Sequence, residues 1–303
     1  MPEGPRVVAL IATRFRSDLL ARLLDSLAHQ TARPLAAVIC DNGPDAATAQ
    51  VAKKPSLSCE IISPGKNLGF GGGLAAAGQV ALEKFPNLTH LLVADDDAIL
   101  APKDLESLLT SARQHSAGSI APFLADDSGK LLEVPEPVSW PLARAFRTVG
   151  QNMEKARALA PGGYPMAWCL GPCLVITKET WLRAGPPRAD MLAFGDDVEF
   201  SLRLSAAALA WAEPSVAVIH APPTSASRLP PPADAAHYKK FGMLLQNLAF
   251  TCVVSPRPRH LPLYLWGNGR RFLRNFGFSP ANFFEAGRRL ALGFLGRSAG
   301  SHT

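Results

Sequence analysis

The sequence contains no uninterrupted apolar run of eighteen residues. Its nearest approach, Met243 to Val254, holds Gln246, Asn247 and Thr251 and is too short to cross a bilayer. The opening MPEGPRVVAL lacks the basic stretch, apolar stretch and small-residue cleavage site of a secretory leader. An integral membrane protein or an ordinary secreted one is therefore not expected, and a cytoplasmic place is. Cysteine is scarce: five residues, an odd number, scattered at positions 40, 59, 169, 173 and 252. That excludes a disulfide framework and suits a reducing compartment. Cys169 and Cys173 stand close together, but no second Cys or His pair completes a zinc site, so both are expected to be buried thiols. There is no Gly-Lys-[Ser/Thr], hence no P-loop, and no internal repeat.

What is present is a globular composition. The 303 residues are 48% apolar and 18% charged, enough to bury a sizeable core. Charge of one sign is nearly missing from the end of the chain. Residues 255–303 hold eight Arg, no Lys and a single acid, Glu285, a balance of +7. The preceding 254 residues balance at −1. A basic tail can meet nucleic acid, anionic lipid or an acidic partner. Here Arg270, Arg271, Arg274, Arg288, Arg289 and Arg297 are interleaved with aromatic and aliphatic residues. That mixture suits a helix lying on an anionic membrane surface. A helical lid packed on the rest of the protein is the alternative. No nucleic-acid recognition motif accompanies the tail, so a nucleic-acid partner is not expected.

Short β-type runs alternate with amphipathic helical runs through the first half. Strands are expected at Arg6–Ala12, Ala36–Cys40, Cys59–Ser63 and Thr89–Ala94. Ser17 is placed to cap a helix, a loop over 64–73 to feed a second, and Pro102 to open a third. Alternation of this kind predicts an α/β fold with a parallel sheet. In the second half, 124–165 reads as a long excursion, Ala167–Thr177 as one strand-like run and Lys178–Ala184 as a helix. A helix over Asp196–Leu209, a strand over Ser215–Ile219, a Pro-rich break at Pro222–Pro232 and a long helix over about 234–253 follow.

Three constellations carry chemistry. Asp95-Asp96-Asp97 follows the apolar run LLVA, at the carboxyl end of a strand, where open α/β sheets bind ligands. Acids at i and i+2 can put two oxygens on one hard cation, Mg²⁺ being the common case. A solvated loop is the bland reading. The second is Gly65-Lys66-Asn67-Leu68-Gly69-Phe70-Gly71-Gly72-Gly73, whose glycines allow a backbone to approach a ligand. Gly71-x-Gly73-x-x-Ala76 also fits a loose dinucleotide fingerprint, though in the third βα turn rather than the first. A nicotinamide-dependent oxidoreductase is thus an alternative. The third is Phe194 to Arg203, with Asp196, Asp197 and Glu199 at a helix start. Asp196 with Glu199 resembles a capping box. Asp197 is left over, and a carboxylate there can act as a general base. His220 ends a strand and is a candidate metal ligand.

Taken together these pieces resemble a family 2 glycosyltransferase of the GT-A fold, in the branch of rhamnosyl- and galactofuranosyltransferases. The matching segments are VVALIATRFR with LLDSLAHQT (7–31), VICDNG (38–43), NLGFGGG (67–73), LLVADDDA (91–98), FGDDVEFSLR (194–203) and VAVIH (216–220). The resemblance implies a GT-A fold: a Rossmann-like, mostly parallel sheet flanked by helices. The catalytic domain would occupy 1–230, with a nucleotide-sugar half over about 1–123, an acceptor half over about 124–230 and a helical, basic extension over 231–303. It implies that Thr13 and Asp41 hold the nucleobase and ribose of a nucleotide-diphosphate sugar, and that Asn67 and Gly71 border its diphosphate and sugar. Asp95, Asp97 and His220 would hold a divalent metal, Mn or Mg, with Asp96 beside the donor. Asp197 would be the catalytic base, and Trp168 and Asp196 would lie on the acceptor side. The implied activity is inverting transfer of a sugar to a hydroxyl of a glycan or lipid-linked acceptor in cell-envelope polysaccharide synthesis. The expected place is the cytoplasm, with peripheral contact on the inner face of the membrane where the basic tail is a lipid-binding helix rather than a lid. A non-catalytic nucleotide-sugar-binding module of the same fold is a further alternative.

Overall fold

The computed structural model describes residues 4–43, 46–54, 56–192, 194–220, 235–255 and 261–300. The chain runs β1 (Val7–Thr13), α1 (Ser17–Ala28), β2 (Ala36–Asp41), α2 (Ala46–Val51), β3 (Ser58–Ile62), α3 (Gly69–Lys84), β4 (His90–Asp95), β5 (Ala98–Ile99) and α4 (Asp104–His115). It continues through β6 (Ser119–Ala125), β7 (Leu131–Glu133), β8 (Glu136–Pro137), α5 (Trp140–Phe146), α6 (Met153–Leu159), β9 (Tyr164–Trp168), β10 (Cys173–Thr177) and α7 (Lys178–Ala184). After α8 (Asp196–Ala207) and β11 (Ala210–His220) come three helices: α9 (Ala235–Val254), α10 (Pro262–Phe276) and α11 (Pro280–Phe294). The Pro-rich break expected at 222–232 lies outside the described residues.

One mixed sheet runs β3-β2-β1-β4-β10-β6-β11-β9-β8. Its first four strands are parallel, as is the β6–β11 pair. Alternate residues of β1 feed two cores. Val8, Leu10 and Ala12 face Leu74, Ala77 and Ala81 of α3, whereas Val7, Ala9 and Ile11 face the leucines of α1 and α4. A strand covered on both faces reads as a continuous apolar run, which is why β1, β2 and β4 were legible. The sheet is therefore sandwiched between helices, and its carboxyl edge collects Thr13, Asp41 and Asp95 in adjacent registers.

Several local expectations change. Arg16, not Ser17, takes the N-cap position of α1, and Ser17 is its first residue, with no side-chain cap. Pro102 precedes the start of α4, whose N-cap is Lys103. The glycines at 69–73 are not loop but the first turn of α3. They are there for contact. Gly69 has φ +72 and sits against the Leu192 carbonyl, and a Cβ on Gly71 would meet the Arg188 carbonyl oxygen at 2.6 Å. The run 167–177 is two strands, β9 and β10, separated at Gly171-Pro172 and not paired with each other. The excursion at 124–165 supplies β7, β8, α5 and α6, and Phe146 and Ala156 join the core beside Phe123. The basic tail is helices α10 and α11 against α9.

Candidate active site

The residues at the carboxyl edge converge because of β5. This two-residue strand follows directly on Asp97 and pairs antiparallel with the end of β11, Ala98 opposite His220. The pairing carries His220 back across the sheet to Asp97, its Nε2 lying 3.2 Å from Asp97 Oδ1. One ligand atom each from Asp95, Asp97 and His220 lie within 4.8 Å of one another. Asp95 Oδ1 is buried with no hydrogen-bond partner, and Asp97 Oδ1 is buried with only the His220 imidazole beside it. Buried carboxylate oxygens without donors are costly. Two such oxygens and an imidazole fit a divalent ion of the Mg²⁺ or Mn²⁺ kind.

The electrostatics agree. Burial first, then the Asp97 charge, pushes Asp95 up to about 8. Burial also works against Asp97, but the His220 hydrogen bond and charge outweigh it and hold Asp97 below its ordinary value. His220 is in turn raised by Asp97 and Asp95 despite its burial. Asp96 points away from this cluster. It accepts from the Thr13 hydroxyl at 2.7 Å and from Arg16 Nη1 at 2.8 Å. Arg16 also reaches Asp97 Oδ2 at 3.2 Å.

Beside the cluster lies a cleft of about 380 Å³, lined by Thr13, Arg16, Asn42, Asn67, Asp95, Asp96, Asp196 and Asp197, among others. Asn67 is exposed, and its Oδ1 accepts from the Gly69 N–H at 2.9 Å. Asp41 is buried and does not line the cleft; it accepts from the Gly43 N–H at 3.1 Å. Asp197 stands at the first turn of α8 and is half-buried. It accepts from the Val198 N–H at 2.8 Å and the Gly171 N–H at 3.3 Å. Burial raises it above the ordinary carboxylate range, and these backbone donors oppose that. A carboxylate with a raised proton affinity, facing a cleft, suits a general base.

The capping box expected from Asp196 and Glu199 is not formed. Gly195 takes the N-cap position with φ +86, and Glu199 is a buried partner of Arg203 at 2.7 Å. Asp196 instead accepts from the Gly71 N–H at 3.0 Å, which fastens α8 to the first turn of α3. Gly71 thus serves the packing of the two helices through its N–H and its missing Cβ. Trp168 is buried, its ring 4.7 Å from that of Tyr264 on α10, and its Nε1 has no hydrogen-bond partner.

Three residues escaped the sequence reading. Arg16 was visible only as part of the segment after β1. Asn42 stands in the sequence only as part of the segment VICDNG, yet it bonds the Leu68 N–H, the Gly69 carbonyl and, through its own N–H, the Thr13 carbonyl. Asn247 of α9 is fully buried and donates to the carbonyls of Met191 and Phe194, both at 2.9 Å, in the segment that walls the cleft. No local pattern announces such a contact.

The family model for Glycosyl transferase family 2 matches residues 8–159, half of the chain. An N-acetylglucosaminyl-diphospho-decaprenol L-rhamnosyltransferase of Mycobacterium tuberculosis is 27% identical over 250 residues, covering 75% of this chain and 80% of that one. A galactofuranosyltransferase GlfT1 of Mycolicibacterium smegmatis is 26% identical over 204 residues, 65% of each chain. Among solved structures, S. aureus TarS 1-349 in complex with UDP-GlcNAc matches with a TM-score of 0.60 at 14% identity, covering 95% of this chain and 79% of that one. The mannosyltransferase PcManGT from Pyrobaculum calidifontis, in complex with GDP-Man and Mn²⁺, matches at 0.57 and 18% identity, over 99% and 78%. These two likenesses concern the fold.

Proposed function

The chain belongs to glycosyl transferase family 2, and from that premise we propose that it moves a sugar from a nucleotide diphosphate, UDP- or dTDP-linked, to a hydroxyl of a lipid-linked glycan of the cell envelope. The observation that carries the reading is the meeting of Asp95, Asp97 and His220 beside a cleft that Asp197 also lines. The decaprenol-linked substrate in the M. tuberculosis relative's name supports the acceptor class. The UDP-GlcNAc bound in TarS supports the donor class. Residues 1–230 would be the catalytic domain and 231–303 a helical extension.

In this reading the donor lies in the cleft, with Thr13 and Asp41 toward its nucleoside and Asn67 toward its diphosphate. Arg16, already between Asp96 and Asp97, can turn its charge to the phosphates. A divalent ion, Mn or Mg, held by Asp95, Asp97 and His220, would neutralise the departing diphosphate. Asp197 takes the proton of the acceptor hydroxyl as that oxygen attacks the anomeric carbon. The bond from that carbon to the diphosphate breaks on the opposite face, so configuration inverts. Trp168 and Asp196 support the acceptor side from behind. No covalent enzyme intermediate is required, and no cysteine or serine serves as nucleophile.

The test is a thermal-shift screen of nucleotide sugars with and without Mn²⁺, followed by detection of released nucleoside diphosphate. A ligand present at about a thousand times its Kd stabilises by roughly 4 kcal/mol. One nucleotide sugar is expected to do this with Mn²⁺ present and much less in chelator. Stabilisation by nicotinamide dinucleotides instead, with no nucleoside diphosphate released, would overturn the reading.

A further inference from the structure

Helix α11 has two apolar sides. Its inner side is pressed onto α9: a Cβ on Gly293 would meet Ala249 Cβ at 2.6 Å and the Phe250 nitrogen at 2.8 Å. The outer side collects Phe283, Phe284 and Phe294, and Leu295 at the C-cap continues it; they are 52%, 73%, 52% and 75% exposed. At 100° per residue these four fall within one face of the helix. A helix packed on a water-soluble body turns its apolar stripe inward and its polar one outward. This one presents apolar residues to solvent as well. Phe278 continues the patch, its ring 6.1 Å from that of Phe283. Contiguous exposed apolar surface marks a place where something else sits.

The surroundings say what. On α10, Trp266, Arg270 and Arg274 are exposed at i, i+4 and i+8, one stripe of the helix. Arg297 is exposed just beyond α11. Glu285, the single acid of 255–303, is already held by Arg288 and Arg289, each at 2.7 Å. Among the described residues Arg270, Arg274 and Arg297 have no acidic partner, so the packed pair α10 and α11 carries unneutralised positive charge as well as the apolar patch. A second copy of the chain would bring a segment of +7 against another of +7. An anionic bilayer matches both features at once, acyl chains for the aromatic residues and phosphates for the arginines. Among the described residues no helix is long and apolar enough to cross a membrane. Binding along the surface is the geometry that remains for these two helices.

We propose that α10 and α11 form a seat on an anionic lipid surface. Phe283, Phe284, Phe294 and Leu295 enter the acyl boundary, and Arg270, Arg274 and Arg297 meet lipid phosphates. The seat stands on its own geometry, whatever the catalytic reading. It is also rigidly tied to the cleft. Helix α11 packs on α9, and Asn247 of α9 grips the carbonyls of Met191 and Phe194. An acceptor held in the same bilayer would be met at a fixed height.

The test uses the full chain and flotation with two kinds of vesicle, equal phosphatidylglycerol and phosphatidylcholine, or phosphatidylcholine alone. The protein is expected to float with the anionic vesicles at low salt and several-fold less at high salt, because exposed charge is screened. F283S/F284S is expected to lower partitioning by about tenfold or more, given the apolar area withdrawn. R270Q/R274Q is expected to abolish the preference for anionic lipid. Both pairs are exposed, so melting and nucleotide-sugar thermal shifts are expected to match the parent. Failure of the parent chain to float at low salt overturns the seat. So does F283S/F284S floating like the parent. A dimer in light scattering that F283S/F284S dissolves would assign the face to a second copy and overturn it as well.

Discussion

Adjacent carboxylates acquire different chemistry from single contacts. Asp196 is buried and spends Oδ2 on the Gly71 N–H, whereas Asp197 is half-buried and faces the cleft. Asp197→Asn is expected to bind donor nearly as the parent does, because its volume is kept and the amide oxygen retains one of the two backbone bonds, that from the Val198 N–H. Turnover is expected to fall about 10²–10⁴-fold, the usual worth of general base catalysis. Asp196→Asn keeps an amide oxygen for the Gly71 N–H and is expected to retain most turnover. Single-turnover rates with donor-binding titrations separate the two, and a dead Asp196→Asn beside an active Asp197→Asn would reverse the roles. Asp95→Ala and Asp97→Ala are each expected to remove most activity with the fold intact. His220→Ala should be milder, since two carboxylates and the diphosphate still hold an ion. Full transfer by either Asp variant, or by the parent in excess chelator, would sink the metal assignment.

The segment 188–195 shows an element held in place by distant parts of the chain. Leu192 and Phe194 have φ of 60° and 63°, and Gly195 follows at 86°. A non-glycine residue in that region costs on the order of 1–3 kcal/mol and persists where its surroundings over-determine it. Here they do. Asn247 holds the Met191 and Phe194 carbonyls, the Ala299 N–H donates to Asn247 Oδ1 at 2.8 Å, and the Ser298 hydroxyl and Gly300 N–H both reach the Asp190 carbonyl. Asn247→Leu removes these side-chain bonds and is expected to destabilise the protein by roughly 2–4 kcal/mol, as loss of a buried polar network does. Because Leu192 and Phe194 wall the cleft, KM for the donor should rise more than kcat falls. An unchanged donor KM in a folded Asn247→Leu protein would show that the wall holds without α9. The same element marks the limit of sequence reading. Strands β1, β2 and β4 were legible from their apolar runs, Asp95 to Asp97 from their place after a strand, and Asp197 from its place at a helix start. The glycine turn of α3, the two-residue β5 and the grip of Asn247 were not. Each exists through contacts between residues far apart in the chain, which leave no period in either neighbourhood.

Folding the whole chain buries acids that are open to water when it is unfolded, and this gives its stability a sign with pH. Glu133 is pushed up to about 8 by burial and then by Asp197, and Asp196 to about 7 by the same two causes. Unfolded, both would titrate near 4. Between those limits the folded chain holds protons that the unfolded chain has released. The stability they contribute is therefore present at low pH and lost as pH rises through 7 and 8. His220, raised by Asp97, has the same sign. His90 opposes it, because burial lowers its proton affinity and the unfolded chain takes up the proton first below about 6.5. Asp190 and Glu285, held low by their arginines, matter only nearer pH 4. The raised acids thus dominate from pH 6.5 to 8.5. In chelator the denaturant midpoint is expected to fall steadily across that interval, and Glu133→Gln is expected to flatten part of the slope by removing one of the groups. A midpoint that stays level or climbs from pH 6.5 to 8.5 would mean that these carboxyls are ionised in the folded chain as they are in water, and that their surroundings are wet.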